Sequence, residues 1–209
     1  MPDFVKDLKD WLQDVLKQID PKVKVSLKQP WDALKLLSKL NVERESIQGQ
    51  IEVGVKWDVP LILGKNSVIK APSRIEGPVI IGENTIIGPF AHLRGPVIIG
   101  NDCAVVSSEV KNSILMDKAR AAHFNYVGDS ILGSKCNLGA GAKLANFRLD
   151  EGLIQVMIGD KAYSSGLRKL GAILEEGVQV GCNAVLNPGT YVARKGKVLP
   201  GTVVSGFVE

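Results

Sequence analysis

The sequence predicts an all-β domain, a parallel β-helix of hexapeptide repeats, preceded by a short helical region. Three observations carry this. Leu63, Ile69, Ile75, Ile81, Ile87, Leu93, Ile99 and Val105 are aliphatic residues spaced six apart, and Leu174, Val180, Leu186, Val192, Val198 and Val204 form a second run in the same phase. Four positions after each aliphatic of the first run stands a smaller or β-branched residue: Ser67, Ser73, Val79, Thr85, Ala91, Val97 and Cys103. Glycine is abundant at 22 residues while aromatics make up only 5%, which suits tight corners and small stacked side chains. A sustained period of six is the signature of a solenoid whose coils bury one continuous core. Three short strands per coil take about 18 residues and rise about 4.8 Å, one strand spacing.

The elements follow in order. Over residues 1–50 the spacing is helical. Phe4, Leu8, Trp11, Leu12, Val15, Leu16 and Ile19 recur at three and four, and Asp20-Pro21 stops that helix. A second helix is expected from Pro30 in QPWDALKLLSKL, because proline is tolerated in a first turn. Its Trp31, Leu34, Leu36, Leu37 and Leu40 need a cover. The two helices are expected to shield one end of the solenoid, or else to make a subunit or partner contact. Residues 51–209 form the β-helix, with a loop insertion around 147–170. There the apolar signature lapses, yet Leu144 to Leu174 is thirty residues and keeps the phase.

Composition excludes several classes. The net charge of +4 is spread without a basic block, so no nucleic-acid partner is expected. Cys103, Cys136 and Cys182 are far apart and in no C-x-x-C arrangement, which argues against a metal site or a disulfide framework. The N-terminus lacks an apolar signal core and no segment approaches eighteen uncharged apolar residues. A soluble, cytoplasmic chain without membrane contact is therefore expected.

After Val105 the phase fails. Leu115 lies ten residues on, and Val127 to Leu132 is a step of five. The stretch AAHFNYVG, residues 121–128, falls in this interval, and His123 and Tyr126 are too close for both to be core. A lone histidine is more often structural than catalytic, and His92, inside a perfect repeat, is a weaker candidate still. In KCNLGAGA, residues 135–142, Asn137 and the small residues leave backbone amides accessible to a ligand, or simply allow tight packing.

The motif H-x-x-Y-x-G-D at 123–129, then N-x-G-A-G from Asn137 and Ala145-Asn146, resembles one known family. It is the acetyltransferase domain of bifunctional sugar-1-phosphate nucleotidylyltransferase/glucosamine-1-phosphate N-acetyltransferase enzymes. QPWDAL at 29–34 and SSGLRKLGA at 164–172 extend the resemblance, which covers roughly residues 29–206. It implies a left-handed β-helix, a homotrimer with active sites between subunits, acetyl-CoA as co-substrate, and an amino-sugar 1-phosphate acceptor, glucosamine or galactosamine. It places the catalytic base on His123 and the sugar-pocket wall on Tyr126. Arg94 and Lys111 fall on phosphate-binding positions, and Asn137 and Asn146 on substrate-binding ones. Lys169, Arg194 and Lys195 are candidates for the cofactor; solvated surface charge is the alternative reading of the last two.

The residue types suit that chemistry. Imidazole takes a proton from an attacking amine near neutral pH. Arginine grips phosphate as a fork and lysine as a point charge. The chain departs from the family at Phe147–Glu151 and at Leu170, where those enzymes place a tyrosine with a lysine and a serine. Pro188 removes a backbone donor. No glycine-rich G-x-G-T-R-like stretch is present, so nucleotidylyl transfer is not expected. The alternative function is a non-catalytic trimerisation or regulatory module for a separate nucleotidylyltransferase.

Overall fold

The computed structural model describes residues 1–40, 42, 44–58 and 60–209. From Ser46 onward the chain winds as a three-faced, left-handed parallel β-helix. Residues eighteen apart stack: Leu63 on Ile81 on Ile99, and Ile69 on Ile87 on Val105. Face A holds nine strands, from Ser46–Ile47 to Phe207–Val208. Face B holds eight, from Gln50–Ile51 to Lys197–Val198, and face C eight, from Lys56–Trp57 to Val203–Val204. The period-six aliphatics point inward on all three faces and form one core column. Each coil shields the next, so burial of this column from water is the main stabilising term.

The break after Val105 is a shortening of corners. Val110, Leu115, Ala121 and Val127 continue the inward column. The steps from Val105 to Val110, Val110 to Leu115 and Val127 to Leu132 are each one residue short, so Leu115 pairs with Ile99 and Ala121 with Val105. A single left-handed residue turns each short corner: Ser107, Asn112 and Asp129, with φ of 48°, 44° and 46°. Asn and Asp tolerate this region better than other side-chain-bearing residues. AAHFNYVG therefore keeps the lattice. Ala121 and Val127 both fill inward slots six apart, and small Ala121 hid the repeat by standing where an aliphatic was expected.

The helices do not shield an end of the solenoid. They lie on face A. Helix α1, Pro2–Lys17, buries Phe4, Leu8, Leu12 and Leu16 against the outward residues Ile80, Ile98, Ile114, Ile131, Ile173 and Tyr191. Sixteen helical residues span about 24 Å, equal to about five strand spacings. The helix thus crosses the face from late coils to early ones. Asp7 pairs with Arg194 at 3.0 Å, and the Trp11 indole donates to Asp117 at 3.0 Å. Gly100 allows this approach, since a Cβ there would lie 2.9 Å from the Trp11 ring and 2.3 Å from the Asp117 carboxylate.

Helix α2, Asp32–Leu37, adds Ala33, Leu34 and Leu37 to the same cover. The insertion leaves the coil at Asn146 and returns at Leu170, whose N–H donates to the Asn146 carbonyl at 3.0 Å. Its hairpin, Gln155–Ile158 with Lys161–Ser164, buries Val156 beside Tyr191 and completes the cover of face A. Among the described residues no helix is long and apolar enough to cross a membrane.

Candidate functional site

The short corners between faces C and A build a polar cluster. Asn112 and Asp129 occupy stacked corners, and the Asp129 N–H donates to the Lys111 carbonyl at 2.8 Å. Asp129 is only 3% exposed, so its carboxylate needs donors. Asn112 Nδ2 supplies one at 2.6 Å and Lys111 Nζ another at 3.2 Å, and Asn146 Nδ2 donates a third. The Tyr126 hydroxyl donates in turn to Asn146 Oδ1 at 3.4 Å. Gly128 makes room for this chain of contacts, because a Cβ there would stand 2.7 Å from both the Tyr126 hydroxyl and Asn146 Nδ2. Asp129 is the hub. It lay in plain view as the last residue of H-x-x-Y-x-G-D, but no spacing argument revealed that it binds Lys111 and Asn146.

Outward positions on face C form ladders. One rung series runs Arg74, His92, Glu109, Tyr126, Lys143, and the parallel series runs Glu76, Arg94, Lys111, Gly128. Arg94 donates to Glu109 at 2.7 Å, and that hydrogen bond raises its pKa above the ordinary guanidinium value. Partial burial raises the Tyr126 phenol, with the nearby Glu109 and Asp129 charges adding to the shift. Tyr126 therefore stays protonated and acts as a donor. A shallow depression of about 510 Å³ over this ladder is lined by His92, Glu109, Tyr126, Phe124 and Lys143 among others.

His123 sits at the corner between faces B and C, exposed to solvent. The corner is held from beneath. Asn125, 2% exposed, accepts from the His123 N–H at 3.2 Å and donates to the Gly139 carbonyl at 2.7 Å. The His123 carbonyl accepts from the Gly141 N–H at 2.8 Å, so the NLGAGA corner stacks directly on the AHF corner. Phe124 is 74% exposed with φ of 53°, unusual for a bulky side chain. Lys143 Nζ clamps the Phe124 carbonyl at 2.9 Å. An exposed imidazole on a rigid platform can reach a bound substrate without first breaking a hydrogen bond.

The structure thus gathers Arg94, Lys111, Tyr126 and Asn146 on face C and its corner with face A, with His123 at the opposite margin of that face. Asn137 is elsewhere: it points outward on face B, between Arg120 and Gln179. Lys169 stands at the neck of the insertion, 6.0 Å from the centre of the Phe147 ring. Arg194 and Lys195 occupy a corner between faces A and B. Arg194 there is engaged by Asp7 at 3.0 Å and Glu176 at 2.7 Å, and so ties α1 to the solenoid.

Residues 75–196 match the family described as the GMPPB C-terminal domain. The chain is 40% identical over 99 residues to a bifunctional sugar-1-phosphate nucleotidylyltransferase/acetyltransferase of Sulfurisphaera tokodaii, a match covering 47% of this chain and 25% of that one. It is 37% identical over 169 residues to the bifunctional protein GlmU of Methanocaldococcus jannaschii, covering 78% and 40%. It is 31% identical over 173 residues to YaiX of Escherichia coli K12, described as an uncharacterized acetyltransferase, covering 82% and 75%. The chain therefore spans less than half the length of these bifunctional relatives.

Proposed function

This chain belongs to the GMPPB C-terminal domain family and is similar to proteins described as acetyltransferases, and from that premise we propose that it transfers an acetyl group from acetyl-CoA to the amine of an amino-sugar 1-phosphate. The observation that carries the reading is the pairing of an exposed, rigidly mounted His123 with the Tyr126–Asn146–Asp129 chain across one face. In this reading the neutral imidazole of His123 takes a proton as the sugar nitrogen bonds to the thioester carbon. Collapse of the tetrahedral intermediate breaks the carbon–sulfur bond, and the imidazolium returns its proton to the departing CoA sulfur. The products are an amide and a thiol, and the histidine ends as it began.

Tyr126 and Asn146 orient the sugar, and Arg94 with Lys111 draw its anionic end towards face C. Asn137 faces away from this cluster within one chain. A homotrimer that sets face B of one copy beside face C of the next accounts for its role. Among the described residues faces B and C carry no helical or hairpin cover, unlike face A.

The test is release of free CoA from acetyl-CoA in the presence of glucosamine 1-phosphate or galactosamine 1-phosphate. His123→Ala is expected to lower the rate by about 10²- to 10⁴-fold with its fold unchanged. No release with either sugar by the wild type sinks the reading and leaves the non-catalytic module. Equal rates in the two proteins remove His123 from its role.

A further inference from the structure

We infer that Lys143 is a positioning residue for His123: its ammonium locks the corner that carries the imidazole and ties that corner to the Tyr126 side of face C. The inference rests on the acetyl-transfer reading. It adds a residue that lies between N-x-G-A-G and Ala145-Asn146 and belongs to neither motif.

The corner between Ala121 and Val127 is made of peptide groups that each need a partner. Ala121 pairs with Leu138 and Tyr126 with Lys143, so Phe124 and Gly141 stack as equivalent corner residues. Two peptide groups flank Phe124. In the first, the Phe124 N–H donates to the Ser107 carbonyl at 2.9 Å, and the His123 carbonyl accepts from the Gly141 N–H at 2.8 Å. In the second, the Asn125 N–H donates to Ser108 Oγ at 3.0 Å, and the Phe124 carbonyl accepts from Lys143 Nζ at 2.9 Å. Three of these partners belong to the backbone or to buried Ser108, whereas Lys143 is exposed. Among the described residues no backbone N–H reaches the Phe124 carbonyl. The same ammonium also donates to the Gly141 carbonyl at 2.7 Å. It therefore bridges two successive corners, with charge-assisted bonds that are stronger than neutral ones.

Phe124 makes such a clamp necessary. Its φ is 53°, where a bulky residue is disfavoured, and its side chain is largely exposed, so burial does not offset the strain. Gly141 takes the equivalent position without that penalty. Without Lys143 the peptide group after Phe124 is free to turn towards water, and the Cα–Cβ direction of His123, one residue back, turns with it. Proton transfer needs that direction held, because a misplacement of about 1 Å costs about 10²-fold in rate. Lys143 also lies beside Tyr126 on face C and lines the depression there. One side chain thus fixes the spacing between the base and the wall of the sugar pocket.

Two variants test this. Lys143→Met keeps the apolar stem and removes the ammonium, whereas Lys143→Arg keeps the charge and can still donate to both carbonyls. In the unliganded chain, hydrogen exchange read by mass spectrometry should be about tenfold faster over residues 121–128 and 138–142 in Lys143→Met. Lys143→Arg should stay close to wild type, with circular dichroism unchanged in both. CoA release is then measured with glucosamine 1-phosphate or galactosamine 1-phosphate, whichever the wild type accepts. Lys143→Met should lower kcat about tenfold or more and leave KM within about twofold, and Lys143→Arg should recover most of the rate. Unaltered exchange in Lys143→Met overturns the clamp. Faster exchange with an unaltered kcat overturns the positioning role, and so does a rise in KM alone, which would make Lys143 a ligand of the acceptor. A wild type that releases no CoA overturns that role together with the acetyl-transfer reading, while the exchange comparison still decides the clamp.

Discussion

Faces A and C share one backbone lattice and differ only in their outward residues. Face A presents Ile80, Ile98, Ile114, Ile131, Ile173 and Tyr191, and two helices and a hairpin bury them. Face C presents Arg74, His92, Glu109, Tyr126 and Lys143, and among the described residues no helix or hairpin packs over them. The inward residues are alike and hold both faces in place. The outward ones decide whether a face becomes a packing surface or a site. On the proposed reading, stability and chemistry fall on separate sides of one prism.

Substitutions can break that separation or sharpen it. The largest effect on folding is expected at Leu8, fully buried between α1 and face A. Leu8→Ala should cost about 3 kcal/mol in urea unfolding while the folded protein keeps its acetylation rate. A matching loss of rate would show that the two faces are coupled. Next comes Asp129, where face C is buried rather than bare. Asp129→Ala strands the Lys111 ammonium and two amides, and should cost about 2 kcal/mol together with a fall in turnover. Asp129→Asn, which keeps a residue tolerant of the left-handed corner, should recover part of the stability but not the rate. Recovery of both would make the hub a matter of shape rather than charge.

A smaller effect is expected at Trp11, whose indole N–H binds Asp117. Trp11→Phe should cost about 1 kcal/mol by the same urea measurement. The smallest belongs to the bare face. Glu76 is held below the ordinary carboxyl value by its hydrogen bond from Arg74, then by His92. A depressed folded pKa stabilises the fold above the unfolded value near 4.5, and that contribution is lost as pH falls through the folded value. The urea midpoint of Glu76→Gln should therefore lie slightly below wild type at pH 7, and the gap should narrow as pH falls below 4.5. A gap that widened in acid would reverse the assignment.

Much of the fold was legible because a solenoid is nearly one-dimensional. Leu63 to Val105 declares its own coil length, and Leu144 to Leu174 declares the insertion. The end-shielding role expected of the helices failed for a reason also written in the chain. The triplets Val79–Ile81 and Val97–Ile99 are buried throughout, which marks a strand covered on both sides. The break was misplaced onto AAHFNYVG because Ala121 fills its slot without looking aliphatic, while the missing residues lie at Ser107, Asn112 and Asp129. His123 and Tyr126 came from a motif, but Asn125 and Asp129 within the same motif passed unassigned. Their partners, Gly139, Lys111 and Asn146, lie one coil away.

By itself the sequence determined the lattice: three strands per coil, a continuous aliphatic column and helices with one apolar stripe each. These follow from local spacing, where neighbours in the chain are neighbours in space. Only the tertiary structure decided that α1 and the hairpin share face A, that Asn137 faces away from Tyr126, and that Asp129 gathers Lys111, Asn112 and Asn146. The gathering at Asp129 depends on corner length. One residue lost from a corner changes which side chains of successive coils meet, and that displacement carries no hydrophobic signature of its own.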